Sequence, residues 1–355
     1  MRYFFLTIIF VFSGSQCHKV LAANFVAGHE VALESVLRSI PAQYIDKARS
    51  TLHIAYQHTS HGTHVTRGML GLTTYKSGDG DQFGIKFTSS GRVTPFSGTE
   101  GDGKLDFHDY AINIWPYNEN TPPSPDLSVN ETAFIQLTRN FLDAPENQEI
   151  NVIMWSWCNI LGHDVAGNYL PGMQTLIDEY GPGGTQILSG KRSVPVTFIF
   201  MTGHANYNDN VGPGKPRDQA KLITEYCKTN GYFCLDYYDI DTHDMEGQYW
   251  EDAGDDGNSP TGGEFYRTWQ DSHRIGEDWF ENRDPVNGEY TPGAHNTQHI
   301  TANRKAYAMW WILARIAGWD GNPLDTDTDT DPDPNPNPEP NSLSAAMQGP
   351  HMLLR

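Results

Sequence analysis

The chain is short of positive charge, of cysteine and of apolar runs long enough to cross a membrane. Lysine and arginine number 24 against 44 aspartates and glutamates, a formal charge of −20. Such a surface repels nucleic acid and anionic lipid, so neither is expected as a partner. The N-terminal run YFFLTIIFVF, residues 3–12, is about half the length a membrane span needs. It follows Arg2 and precedes the small residues VLAA at 20–23. That is the pattern of a secretory leader, residues 1–23, removed near Ala22 or Ala23, and it predicts a secreted protein, extracellular or periplasmic. Export permits disulfides. Cys17 leaves with the leader, so Cys158, Cys227 and Cys234 remain, an odd number. Cys227 and Cys234 lie seven apart across a helix-to-strand turn; they could pair or stay as buried thiols. The leader carries +2 and the tail from Asp325 onward −5, which leaves −17 on the body. That suits a soluble exported protein and says nothing of its fold.

Two kinds of segment are present after the leader. Residues 325–340, DTDTDTDPDPNPNPEP, are acidic, proline-rich and without large apolar side chains. They cannot bury enough surface to fold, so residues 323–341 read as an extended linker and 342–355 as a tail too short to be a domain. The body, residues 24–322, alternates between two patterns. Near-continuous apolar runs at 51–57, 149–155, 194–201 and 232–240 suit parallel strands covered on both faces. Helical periodicity appears at 132–143, 170–180, 217–228 and 302–317, the last with Thr301 as its expected cap. The alternation predicts a doubly wound α/β domain. Two long segments, 76–128 and 241–293, are rich in glycine, proline, aspartate and aromatic residues. They are expected to wall a substrate cleft at the carboxyl edge of the sheet, where open α/β sheets bind ligands.

The segment His58-Thr59-Ser60-His61-Gly62-Thr63-His64 follows the first strong strand pattern. Ser60 sits where a strand gives way to a helix, a place that favours developing negative charge and offers backbone N–H donors. Serine there is also a common helix cap. His299, two residues before Thr301, could return to the same sheet edge and act as a proton acceptor near neutral pH. Asn296, three residues earlier, could accept from its ring, and His295 is a competitor for the role. Asn159 ends the run WSWCNI and could donate to an oxyanion or simply make a turn.

Serine after the first strand, asparagine after a central strand and histidine before the last helix resemble, in order and placement, the SGNH (GDSL-like) hydrolases. The resemblance spans about residues 51–319. It implies a flavodoxin-like, three-layer α/β/α core and an esterase, with Ser60 as nucleophile, Asn159 as oxyanion donor and His299 as base, and needs no cofactor. The implied substrate is an ester, with an acylated polysaccharide in view because aromatic residues crowd the inserted loops. This chain departs from the family's pattern at three places. His58-Thr59 stands for Gly-Asp, Asn296 stands for the triad aspartate, and the oxyanion glycine has no clear equivalent. Asp239 or Asp241 could then orient His299.

Other readings remain open. His58, His61 and His64 could meet His204, or His295, and bind zinc for a metal-dependent hydrolase. Alternatively His58, His61, His204 and Asn206 line the cleft and bind substrate, which would also suit a non-catalytic glycan-binding module. The fragment EGDGKLDFHD, with Asp102, Asp106 and Asp109, has the spacing of part of a calcium loop.

Overall fold

The computed structural model describes residues 25–87, 103–112 and 123–322. The expected leader, linker and tail lie outside the described residues, as do Asp102, Trp115 and Tyr117. Seven strands build one sheet: β1 Val26–Ala27, β2 His53–Gln57, β3 Ile85–Phe87, β4 Leu105–Asp109, β5 Val152–Trp155, β6 Thr197–Met201 and β7 Phe233–Leu235. Every pairing is parallel and the order is β1-β7-β6-β5-β2-β4-β3. Counting β2, β4, β5, β6 and β7 as one to five, the inner strands run 2-1-3-4-5, the flavodoxin-like order. The doubly wound, three-layer α/β/α fold expected from the sequence is the fold of the protein.

Alternation along each strand feeds two cores. Ile54, Tyr56, Met154, Ile199 and Met201 face one cluster; Ala55, Ile153, Trp155, Phe198 and Phe200 face the other. The first face is covered by helices Glu34–Ser39, Ala42–Thr51, Thr63–Leu72 and Ile300–Ile316, and the second by Ala133–Asp143, Leu170–Tyr180 and Pro216–Asn230. The last helix is buried from Ile300 to Arg315. It crosses Thr63–Leu72 with its backbone at Gly68, where a Cβ would overlap the Ala302 carbonyl. A glycine is required there by packing, and it locks the helix that follows Ser60 against the helix that follows His295.

Three local expectations are corrected. The apolar run 232–240 is only half strand. Asp236 accepts the Asp239 N–H at 3.2 Å and so starts a helix, Tyr237–Thr242. Thr301 does not cap the last helix, which begins at Ile300; Gln270 Oε1 instead accepts the N–H groups of His299 and Ile300 at 2.8 and 3.1 Å. The calcium reading meets a strand where it needs a loop. Asp106 and Asp109 belong to β4, an inner strand buried along its length, and three residues apart they point to opposite faces. Asp106 bonds the His53 ring at 3.0 Å and Asp109 the His58 ring at 2.6 Å, so both carboxylates already have partners. Segment 76–128 therefore does more than wall a cleft: it supplies β3 and β4.

Candidate active site

The carboxyl ends of β2, β4, β5 and β6 lie along one edge of the sheet; Asp109 ends β4, and Ser60, Cys158 and His204 follow the other three. Between Gln57 and the helix Thr63–Leu72 the chain makes one helical turn, Ser60–Gly62. To enter it so sharply, Ser60 adopts φ 42°, a left-handed conformation that costs a non-glycine residue about 1–3 kcal/mol. Gly62 makes the bend possible, because a Cβ there would overlap His58 Cβ. A serine on a strained strand-to-helix turn has its hydroxyl lifted clear of the sheet, the geometry of a nucleophile elbow. Its Oγ is in hydrogen-bond contact with Nε2 of His295, 235 positions along the chain.

His295 is also at positive φ, 60°. Only four non-glycine described residues are, and two of them meet here. The loop before His295 is fastened to the helix after Ser60 by that helix's own first residues. His64 Nε2 donates to the Ala294 carbonyl at 2.8 Å, Arg67 Nη1 to Pro292 at 2.8 Å, and Thr63 Oγ1 accepts from the Ala294 N–H at 3.4 Å. Gly293 lies so close on the His64 ring that a Cβ would overlap it. Burial holds the His64 imidazole well below its usual range, hence neutral and able to donate at one nitrogen. The segment HTSHGTH is thus both the turn that bears the hydroxyl and the clamp that brings the imidazole to it.

His299, the expected base, is elsewhere engaged. Its Nδ1 accepts the Asn282 N–H at 3.0 Å and its ring stacks on Trp279 at 5.8 Å. As the residue that opens the last helix it is held by that helix, whereas His295 sits on the free loop before it. Neither Asp239 nor Asp241 orients His299: Asp239 bonds His29, and Asp241 is buried against Lys305. Asn296 Oδ1 accepts from the Gln298 N–H at 2.6 Å, so it shapes the loop and does not orient His299. Asn159 makes an Asx turn, its Oδ1 accepting the Leu161 N–H at 2.9 Å, which leaves the amide nitrogen as its donor.

Beneath the Ser60–His295 pair lies a second constellation. His61 Nε2 bonds Asp255 Oδ2 at 2.9 Å, and its Nδ1 is 3.8 Å from Cys158 Sγ. The His61 ring stacks on His204 at 3.8 Å and on His295 at 4.6 Å. Burial alone would lower the His61 imidazole, but its hydrogen bonds to Asp255 and Cys158 prevail and push it up to about 9. His204 goes the other way, to about 4, through burial and the nearby His61 charge. Burial would raise Asp255, yet the bond to His61 keeps it below the usual carboxylate range. Asp255 has no signal in the sequence: it is one of four acids in EDAGDD, and only the fold selects it.

Of the four histidines considered as one metal site, His61 and His204 stay together and the other two turn away. His58 is fully buried and bonded to Asp109, and His64 backs onto Ala294. Among the described residues, two groups bring three potential ligand atoms within 4.8 Å: His61, His204 and Asp255, and His29, Asp239 and His243. In each, the two imidazoles are stacked, 3.8 Å apart at 14° and 3.6 Å apart at 5°. Within each group one imidazole also bonds the carboxylate, His61 to Asp255 at 2.9 Å and His29 to Asp239 at 2.7 Å. Asn206 is tied into its loop, its N–H bonded to Asn210 Oδ1 at 2.5 Å. The remaining cysteines, Cys227 and Cys234, are buried free thiols.

Compared with family models, with curated proteins and with solved structures, the chain finds no match in any of the three.

Proposed function

We propose that the protein is a serine hydrolase of carboxylic esters, with Ser60 as nucleophile and His295 as general base. The observation that carries this reading is the Ser60 Oγ–His295 Nε2 contact between two residues both held at positive φ. Backbone strain at two residues whose side chains meet is retained where the surrounding fold enforces it, and here the clamp from Thr63, His64 and Arg67 holds the loop before His295. The resemblance to SGNH hydrolases supports the same chemistry, with the histidine four residues earlier than the motif suggests.

In this mechanism Ser60 Oγ attacks the ester carbonyl as His295 Nε2 takes its proton. The first N–H groups of the turn at Ser60 and His61 have no partner within the helix they open, and with the Asn159 amide they are the donors for the tetrahedral oxyanion. His295 returns the proton to the leaving alcohol. Water, deprotonated by the same imidazole, then releases the acid. Trp250, Trp269 and Trp279 stack on Phe265, His273 and His299 of the inserted segment and its border, so they hold the loops down.

The test is labelling with a fluorophosphonate followed by peptide mass analysis, alongside hydrolysis of a p-nitrophenyl ester. The expected adduct is on the peptide carrying Ser60, lost in His295→Ala and kept in His299→Ala. Labelling that survives His295→Ala would defeat the assignment of the base, and the absence of any adduct on the wild type would defeat the proposal.

A further inference from the structure

We infer that Cys158, His61 and Asp255 form a second nucleophilic triad beside the Ser60–His295 pair, in which Cys158 is the nucleophile that takes soft electrophiles, hydroperoxides among them. The line runs from Sγ to His61 Nδ1 at 3.8 Å and from His61 Nε2 to Asp255 Oδ2 at 2.9 Å. Nucleophile, base and orienting carboxylate are in sequence along one imidazole, each nitrogen used once. The Ser60–His295 pair has no such third member: among the described residues no carboxylate is bonded to His295. The better-completed triad therefore belongs to the sulfur.

Burial separates Cys158 from the other thiols. It is half-buried at the sheet edge, whereas Cys227 and Cys234 are fully enclosed in the core. The groups facing it come from every neighbouring element. His61 and the Ser60 hydroxyl, from the turn after β2, both favour the thiolate. Asp126, itself bonded to Thr59, opposes it, as does partial burial, and the His61 bond outweighs both. His61 is in turn faced by Asp255, which favours its cation, and by His204 and His295 on its two ring faces. A histidine held protonated beside a cysteine is the arrangement that makes a thiol nucleophilic below its ordinary range.

The step with a hydroperoxide balances within the triad. The thiolate sulfur attacks the terminal peroxide oxygen; the S–O bond forms as the O–O bond breaks. Sulfur gives up two electrons and the peroxide accepts them. The departing alkoxide or hydroxide takes the proton from the His61 imidazolium, leaving a sulfenic acid and a neutral imidazole. With Cys227 and Cys234 enclosed, the product at this site is the sulfenic acid and not a disulfide within the described residues.

This inference does not rest on ester turnover at Ser60, and its test reads the thiol directly. Full-length protein is alkylated with iodoacetamide across pH 5–9 and the Cys158 peptide is quantified by mass spectrometry against free N-acetylcysteine. The expected result is alkylation at pH 6 at least about tenfold faster than the free thiol, with a shallow pH profile. In Asp255→Asn and His61→Gln the advantage at pH 6 should fall by about tenfold, with the circular dichroism spectrum unchanged in at least one of them. Hydrogen peroxide should leave a dimedone-reactive sulfenic acid on that peptide alone. A wild-type profile that follows the free thiol, or one unaltered in a correctly folded His61→Gln or Asp255→Asn protein, overturns the inference.

Discussion

His295 and His299 are four residues apart, yet the fold gives them different work. His299 opens the last helix, its backbone N–H held by Gln270 and its ring by Asn282 and Trp279. His295 is on the loop before that helix, exposed, at positive φ, with its Nε2 on the Ser60 hydroxyl. One ring is spent on structure and the other is free for a proton. What separates them is the clamp: the residues that tie down positions 292–294 come from the helix that follows Ser60. Ser60 and His295 are thereby positioned by a single short stretch of chain.

The sharpest break of this comparison is a pair of substitutions. His295→Ala should lower kcat on a p-nitrophenyl ester by about 10³-fold, as loss of a positioned general base does. His299→Ala should change kcat less than tenfold and appear mainly as a stability loss of about 1 kcal/mol, from the released Asn282 N–H. Equal effects of the two would erase the distinction. Next in size is Gly293→Ala. The added methyl overlaps the His64 ring, so the loop must lift and His295 with it. A displacement of this kind should cost about 10²-fold in kcat, with the fold retained. A kcat unchanged in that variant would show that the clamp does not set the base.

A smaller effect concerns pH and the second constellation. His61 is raised to about 9 in the folded protein from its ordinary 6.5. The folded state then holds a proton that the unfolded chain has released between those values. The stabilisation is complete below pH 6.5 and is lost as pH rises through 9, a contribution of order 1–3 kcal/mol. Urea melts across pH 6.5–9 should show the decline, and Asp255→Asn should flatten it. The smallest expected change is Gln270→Ala, which removes the acceptor for two N–H groups at the start of the last helix and should cost about 1 kcal/mol with little loss of turnover. A thermal midpoint equal to wild type would remove Gln270 from the account.

The legible parts of the fold were its central strands and long helices. β2, β5 and β6 are buried on both faces and read as near-continuous apolar runs, and the helices Ala133–Asp143, Leu170–Tyr180 and Pro216–Asn230 bury one periodic side. β1 and β3 are too short to show a pattern. β4 was hidden for a different reason. LDFHD carries two aspartates and a histidine into a buried inner strand, which is tolerable only because His53 and His58 receive the carboxylates. No local pattern announces partners that lie some fifty positions away. The same limit governs the site. Ser60 was visible as a serine between strand and helix, while the choice of His295 over His299, and of Asp255 from among its acidic neighbours, depends on which side chains the packing brings to that edge.

By itself the sequence determined the doubly wound class, the place of Ser60 at the end of a central strand and the acidic, polar character of the surface, because these follow from periodicity, burial and charge within short windows. The tertiary structure alone decided which histidine meets the serine, which carboxylate meets His61, and that the histidines of HTSHGTH diverge to Asp109, Asp255 and Ala294. Each of those choices is a contact between residues far apart in the chain, set by loop conformation and close packing at Gly62, Gly68 and Gly293, and such contacts have no signature in the local order of residues.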